Sequence, residues 1–383
     1  MRVALVCGYD WAVPGGVQSQ LDALARALAE AGHDVAVVAP VTARAGRPTP
    51  GAGPGEGFLL FPAGRSIGLP VNGSIAPVAP TPAAAVATRR ALRRFRPDVV
   101  HVHEPLVPGP PLAAVLGGPR PVVVTFHRAD SDVLYRAEGR LLGPLLGRRV
   151  DAATAVSEAA IATARTVLGQ HLPSIIEVRN GVDLRRGERA RLALARVSGE
   201  AGAPYKNGSR PRVVYAGRHE PRKGVAVLVG AARRLGPDVE VVIAGDGPER
   251  TSLERQAAAD PAVRFVGRLE DEPQAELVAS ADVFVAPAVG GESFGLVLLE
   301  AMAAGTCVVA SDIPGYRLAA AGAAVLVAPG DSAALAACVS DVLADHEKRR
   351  RAVELGLARA RECAIETVME RYVEVYRAAG ASG

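Results

Sequence analysis

The chain has 383 residues, a formal net charge of +4 and 49% apolar residues, which suits two buried cores better than one. Aromatic residues make up only 4%, so those cores must be filled with alanine, valine and leucine. The mild positive charge calls for no nucleic-acid partner, and no apolar run approaches the ~18 residues needed to cross a bilayer.

The basic residues are almost all arginine, and the lysines are Lys206, Lys223 and Lys348. A lysine inside a motif is therefore informative. Cys7, Cys307, Cys338 and Cys363 are scattered without metal or redox spacing, and buried thiols in a reducing cytosol are expected. The opening Met1-Arg2-Val3-Ala4-Leu5-Val6 is too short and strand-like for a signal peptide. A cytoplasmic protein, free or peripherally attached, is expected.

Residues 3–7 read as a buried strand. Pro14-Gly15-Gly16-Val17 follows, and then Val17, Leu21, Leu24 and Leu28 recur at helical spacing. A glycine pair at a helix start lets backbone amides approach an anion, but an ordinary tight turn has the same residues. The spacing is not GxGxxG, which argues against a dehydrogenase. Residues 34–39 form the next strand, and 44–82, rich in glycine and proline, read as mostly loop.

Residues 83–96 read as a helix. At ~100° per residue, Arg89, Arg90, Arg93, Arg94 and Arg96 fall on one side, with Ala84, Ala91, Leu92 and Phe95 on the other. A basic face suits an anionic lipid surface. A surface helix with its apolar side on the core has the same pattern, and both can hold together.

Strands follow at 98–103, 121–126, 152–156 and 175–178. Such continuous apolar runs, alternating with helices, indicate a parallel sheet covered on both faces. Residues 184–210 are charged and partly helical and read as a hinge. The alternation then restarts with strands at 212–216, 239–244, 263–266, 283–286, 307–310 and 324–327, and helices at 335–344 and 346–360. Two Rossmann-like doubly wound α/β domains are expected, with facing strand ends forming a ligand cleft.

Ala216-Gly217-Arg218-His219-Glu220-Pro221-Arg222-Lys223-Gly224 leaves the first strand of the second half. The Arg218 fork and the Lys223 ammonium at a strand end suit a diphosphate that gains charge as a bond breaks, although a solvated basic loop would look alike. The run from Gly290 to Gly305 has Glu292 in a glycine-rich loop and Glu300 on the following helix, with seven residues between them. Amides near Phe294, Gly295 and Leu296 start that helix and can hold phosphate. Two such carboxylates can accept hydrogen bonds from the vicinal hydroxyls of a hexose and a ribose. Glu300 interrupts an apolar stretch, which is costly without a partner.

The spaced glutamates, GRHEPRKG at 217–224 and the early PGGV turn resemble glycosyltransferase family 4, of the GT-B fold. More closely, the chain is similar to the actinobacterial phosphatidyl-myo-inositol mannosyltransferases. The shared stretches are VPGGVQS at 13–19, AGHDVAVVAP at 31–40, NGS at 72–74, DVVHVHEP at 98–105, TFH at 125–127 and NGVD at 180–183. They continue with GRHEPRKG and with GGESFGLVLLEAMAAGTCVVASD at 290–312.

The resemblance implies a retaining enzyme using a nucleotide-diphosphate sugar, expected to be GDP-mannose, without a catalytic metal or other cofactor. No Asp-x-Asp element accompanies the diphosphate residues. It implies that Gly16 approaches the β-phosphate, that Arg218 and Lys223 stabilise the leaving diphosphate, and that Glu292 and Glu300 bind the hexose and the ribose. His127 would lie beside the transferred sugar. Tyr9 and Gln18 would line the acceptor side, and Arg222 would meet the phosphate of a phosphoinositide or other anionic acceptor. The helix at 83–96 would dock on an anionic membrane, at the inner face of the cell membrane. The helix at 366–379 would cross back to the first domain. The implied division is 1–183 with 365–383 as the acceptor domain, 184–210 as linker and 211–364 as the nucleotide-sugar domain.

Three acceptor-side stretches depart from the family pattern. They are Leu106 after His-Glu-Pro, Arg128-Ala129-Asp130 after His127, and the arginine-free run after Asn72-Gly73-Ser74. Other readings are a family 4 enzyme with a UDP-sugar and a soluble or glycan acceptor, and a non-catalytic GT-B protein that binds a membrane or a partner. A two-domain sugar-nucleotide epimerase shares the architecture but has no need of a lipid-facing basic helix.

Overall fold

The computed structural model describes residues 1–13, 15–42, 57–71, 74–129, 133–198 and 210–381. Pro14, Asn72, Gly73, Asp130, Lys206 and the rest of 199–209 lie outside the described residues. The chain divides into two compact units, Met1–Gly181 with Ile365–Gly383, and Val182–Ala364.

The first unit is built on a seven-stranded parallel sheet. Its order is Leu59–Pro62, Asp34–Ala39, Arg2–Val6, Val99–His103, Val122–Phe126, Ala152–Ala155, Ile175–Glu177. The central strands bury nearly every side chain because both faces are covered, which is why their sequences run apolar without alternation. On one face, helix Gly16–Glu30 and the C-terminal helix Ile365–Ala378 share a core of Leu21, Leu24, Leu28, Tyr372 and Tyr376. On the other, Leu92, Phe95, Tyr135, Leu146 and Val167 pack from helices Pro82–Phe95, Val133–Gly147 and Glu158–Leu168.

Two expectations are corrected. Residues 44–82 are not mostly loop where they are described. Leu59–Pro62 extends the sheet beside Asp34–Ala39, and Ile67–Val71 pairs with Ser74–Val78 as an antiparallel hairpin. These strands are short and peripheral, and proline is tolerated at such edges, so composition conceals them. The hinge expected at 184–210 is, over Leu184–Ser198, a helix of the second unit. It packs closely enough that a Cβ on Gly187 would lie 2.4 Å from the Ala303 carbonyl oxygen. Two of its arginines are paired, Arg186 with Asp271 at 3.2 Å and Arg189 with Glu272 at 2.7 Å, which is why this charged stretch is not a solvated link.

The second unit has a six-stranded parallel sheet in the order Val263–Gly267, Glu240–Ala244, Arg212–Ala216, Val283–Ala286, Cys307–Ser311, Val325–Val327. Its two faces are filled mainly by alanine, valine and leucine, with Phe284, Phe294 and Tyr316 among the few rings. Cys7, Cys307 and Cys363 are buried, and Cys338 is half-buried. Burial pushes the thiols of Cys7 and Cys307 up to about 12, so these are inert packing groups.

Candidate functional site

In the second unit, strand Arg212–Ala216 connects onward to one side of the sheet, while its other neighbour, Val283–Ala286, leads to the opposite side. Their C-terminal ends therefore flank a topological switch point, where open parallel sheets bind ligands. The loops carrying Arg218–Lys223 and Glu292 leave from these two adjacent ends. They are tied together, with the Val289 amide donating to the Arg222 carbonyl at 2.9 Å. Gly224 has φ 66 and approaches so closely that a Cβ there would lie 2.0 Å from the Pro287 carbonyl oxygen. Only glycine fits that position.

The charged side chains form one connected cluster. Glu220, 1% exposed, accepts from Arg222 Nε at 3.1 Å and pairs with Arg218. Arg222 Nη1 reaches Glu292 Oε1 at 3.0 Å, and Lys223 Nζ reaches the same oxygen at 2.6 Å. Glu300 is half-buried on helix Leu296–Ala303. Burial raises its carboxyl above the usual range, partly offset by the charges of Arg186 and Lys223. Arg218, Lys223, Glu292 and Glu300 thus share one neighbourhood. Arg222, expected to meet an acceptor phosphate, has its charge compensated by Glu220 and Glu292.

The turn between the two glutamates runs straight into the start of a helix. Gly295 sits at φ 101 as the residue before the helix, and a Cβ there would lie 2.7 Å from Tyr316 Cδ1. The Phe294 ring is sealed in the core, so only its backbone faces outward chemistry. Leu298 N–H already donates to the Gly295 carbonyl at 3.0 Å, so the amides of Leu296 and Val297, ahead of that first internal bond, are the ones that can receive phosphate oxygens.

A second polar constellation lies at strand ends of the first unit. Glu104, just after Val99–His103, is a non-glycine residue at φ 56. Its Oε1 accepts the backbone N–H of His127 at 2.5 Å and of Arg128 at 2.9 Å, and its Oε2 accepts the Tyr135 hydroxyl at 3.2 Å. Burial raises the Glu104 carboxyl against these bonds. Arg128 lies with its guanidinium 4.1 Å over the Tyr135 ring. His127 Nε2 is 2.8 Å from His103 Nδ1. His101 is bonded on both nitrogens, Nδ1 to the Tyr376 hydroxyl at 2.8 Å and Nε2 to Thr125 Oγ1 at 2.6 Å. Burial holds His101 down at about 3 and His127 at about 4, with His103 also well below its ordinary value. All three rings are neutral near pH 7.

Gly16 opens helix Gly16–Glu30, and a Cβ there would meet nothing within 4 Å. Packing does not require glycine at this exposed position. Tyr9 is half-buried, bridges to Val78, and its hydroxyl feels the Glu104 charge, which together with burial raises its pKa. Gln18 is more structural than expected. Its Nε2 donates to the carbonyls of Val13 at 2.9 Å and Asp10 at 3.2 Å, shaping the turn. Leu106 is likewise a core residue, 2% exposed, so this departure from the family pattern is one of packing.

Helix Pro82–Phe95 is capped by Thr81 Oγ1, which accepts the Ala84 amide at 3.2 Å. Ala84, Ala91, Leu92 and Phe95 are buried, while Arg89, Arg90, Arg93 and Arg94 are exposed. Arg96 does not continue that face, because at φ 52 it is the left-handed residue that ends the helix. No helix of the described residues is long and apolar enough to cross a membrane.

Glu220, Glu104, His103 and Arg186 take part in these clusters without standing out in the sequence. The first three sit inside quoted motifs, and a carboxylate beside two arginines, or after an alternating His-Val-His strand, is the available signal.

A sequence model described as Glycosyltransferase Family 4 matches residues 14–186, and one described as Glycosyl transferases group 1 matches residues 210–345. A phosphatidyl-myo-inositol mannosyltransferase of Mycolicibacterium smegmatis is 34% identical over 100% of this chain and 95% of its own length. One of Propionibacterium freudenreichii is 38% identical over 82% of this chain and 78% of its own. Among solved structures, Anabaena HepE in complex with UDP-glucose has a TM-score of 0.73 at 19% identity, covering 98% of this chain and 99% of that one.

Proposed function

The chain belongs to glycosyltransferase family 4, has the GT-B fold and is a hexosyltransferase, and we propose that it transfers mannose from GDP-mannose to phosphatidyl-myo-inositol. The observation that carries this reading is the single cluster of Arg218, Lys223, Glu292 and Glu300 at the switch point of the second sheet. Relatives bearing the phosphatidyl-myo-inositol mannosyltransferase name, matched over 95% and 78% of their own lengths, support the acceptor.

Arg218 and Lys223 neutralise the diphosphate as the sugar–phosphate bond breaks. Glu292, held in place by Arg222 and Lys223, accepts hydrogen bonds from the hexose, and Glu300 accepts those of the ribose. The raised pKa of Glu300 suits a carboxylate whose hydroxyl partners arrive only with the ligand. Gly16 leaves room for a phosphate against the helix amides. His127 lies beside the transferred sugar, and Tyr9 lines the acceptor side. An inositol hydroxyl attacks the anomeric carbon on the face from which the diphosphate departs. The broken bond's electron pair goes to the phosphate oxygen, which takes the hydroxyl proton, and configuration is retained. The scheme calls on no metal ion or other cofactor.

The lipid acceptor requires the protein at a membrane, which we place at the cytoplasmic face. The exposed arginine face of helix Pro82–Phe95 supports this. So does helix Val133–Gly147 on the same face of the sheet, where Val133 is 83% and Leu141 77% exposed beside Arg136 and Arg140.

The test is a transfer assay with the purified chain, comparing labelled GDP-mannose with UDP-sugars. Phosphatidyl-inositol in vesicles is compared with free inositol phosphate. Labelled mannosyl lipid is expected. Transfer only from a UDP-sugar, or only to a soluble acceptor, replaces this reading with the UDP-sugar alternative. Stabilisation by RT ln(1 + [L]/Kd) lets thermal shifts rank GDP and UDP independently.

A further inference from the structure

His103 and His127 share one proton between Nδ1 of the first and Nε2 of the second, 2.8 Å apart. Only two neutral arrangements are available. If the proton sits on His127 Nε2, His103 must carry its own hydrogen on Nε2. That atom is sealed from solvent and has no hydrogen-bond partner among the described residues. His101, whose ring centroid is 4.2 Å away, cannot serve it, because both its nitrogens are already bonded. The Glu104 carboxylate is taken by two backbone amides and the Tyr135 hydroxyl.

If the proton instead sits on His103 Nδ1, the sealed atom is a bare lone pair. An orphaned buried N–H is rarer and costlier than an under-used acceptor. The second arrangement is favoured, and it leaves His127 with its hydrogen on Nδ1. That nitrogen makes no hydrogen bond to a described residue. It lies at the C-terminal end of strand Val122–Phe126, where Glu104 and Tyr9 also gather.

We propose that His103 is a positioning residue that fixes the tautomer of His127, so that His127 presents Nδ1–H as a hydrogen-bond donor to an oxygen of the bound sugar. The inference rests on the placement of His127 beside that sugar. It makes His127 a donor and not a base, in keeping with rings that burial holds neutral near pH 7.

Nitrogen-15 NMR of histidine-labelled full-length protein reads the tautomer directly, with His127 assigned through His127→Gln. The expected spectrum shows His127 protonated at Nδ1 and bare at Nε2. His103→Asn, whose amide N–H can replace Nδ1–H, should keep that signature and hold kcat within about threefold. His103→Leu should lose the signature and about tenfold in kcat, with the donor KM unchanged. A His127 protonated at Nε2 in the native chain overturns the proposal, as does an equal loss in the Asn and Leu variants. If the native chain transfers no sugar to any acceptor, the catalytic reading fails, and the spectrum alone still decides the tautomer.

Discussion

Nζ of Lys223 stands 2.6 Å from Oε1 of Glu292, across two loops that leave neighbouring parallel strands. The carboxylate therefore holds the cation in place before any diphosphate arrives. Removing the charge while keeping the stem, as in Lys223→Met, should lower kcat by about 10²–10³. The thermal midpoint should move little, because Arg222 still compensates Glu292 at 3.0 Å. Steady-state kinetics beside a melting curve checks both parts. Unchanged kcat would remove Lys223 from the diphosphate.

Gly16 and Gly295 should fail differently when changed to alanine. At Gly16 a methyl meets nothing within 4 Å, so stability should hold within ~0.5 kcal/mol. Donor affinity should fall at least about tenfold if phosphate occupies the space. At Gly295, φ 101 and the 2.7 Å approach to Tyr316 should cost about 1–3 kcal/mol of stability. Gly290→Ala, where nothing lies within 4 Å, is the control. Calorimetric titration with nucleotide separates the two kinds of loss.

The three neutral histidines make stability depend on pH. Burial holds His101 at about 3 and His127 at about 4, while the unfolded chain takes up these protons near 6.5. Their contribution is complete above about 6.5 and is lost as pH falls through about 4, on the order of 3 kcal/mol per ring. Glu104 acts in the opposite sense, since its raised pKa makes the folded chain hold a proton longer. The melting temperature should fall between pH 7 and 4.5, and fall less steeply in His101→Gln. Parallel slopes for the two proteins would show that His101 is not a buried neutral ring.

The arginine face of helix Pro82–Phe95 should govern vesicle binding. Replacing Arg89, Arg90, Arg93 and Arg94 by serine removes roughly 1 kcal/mol each near an anionic surface, up to about a thousandfold in affinity at low salt. The loss should shrink as salt screens the surface. The fold should be little affected, because all four are exposed. Sedimentation with phosphatidyl-inositol vesicles measures it, and equal pelleting of both proteins would leave the membrane reading without support.

The two sheets and the residues at their strand ends were legible in the sequence. Runs such as Val122–Phe126 and Cys307–Ser311 are apolar throughout because helices cover both faces, and that pattern is local. Less legible were the edge strand Leu59–Pro62 and its neighbouring hairpin, whose stability comes from partners elsewhere in the chain. The helix Leu184–Ser198 looked like a solvated link because its acidic partners, Asp271 and Glu272, lie more than eighty residues away.

Two doubly wound units, with cations, carboxylates and glycines at the turns where such sheets bind ligands, are written into the local pattern of the chain. Periodicity and turn chemistry act over a few residues, so they can be read from the chain. Which side chain pairs with which emerges with the folded arrangement. Glu220 became the anchor of Arg218 and Arg222, and His103 came within 2.8 Å of His127. Those pairings depend on which strands and loops become neighbours and in what register. Burial then sets how much each unpaired proton or charge costs, and neither property has a local signature.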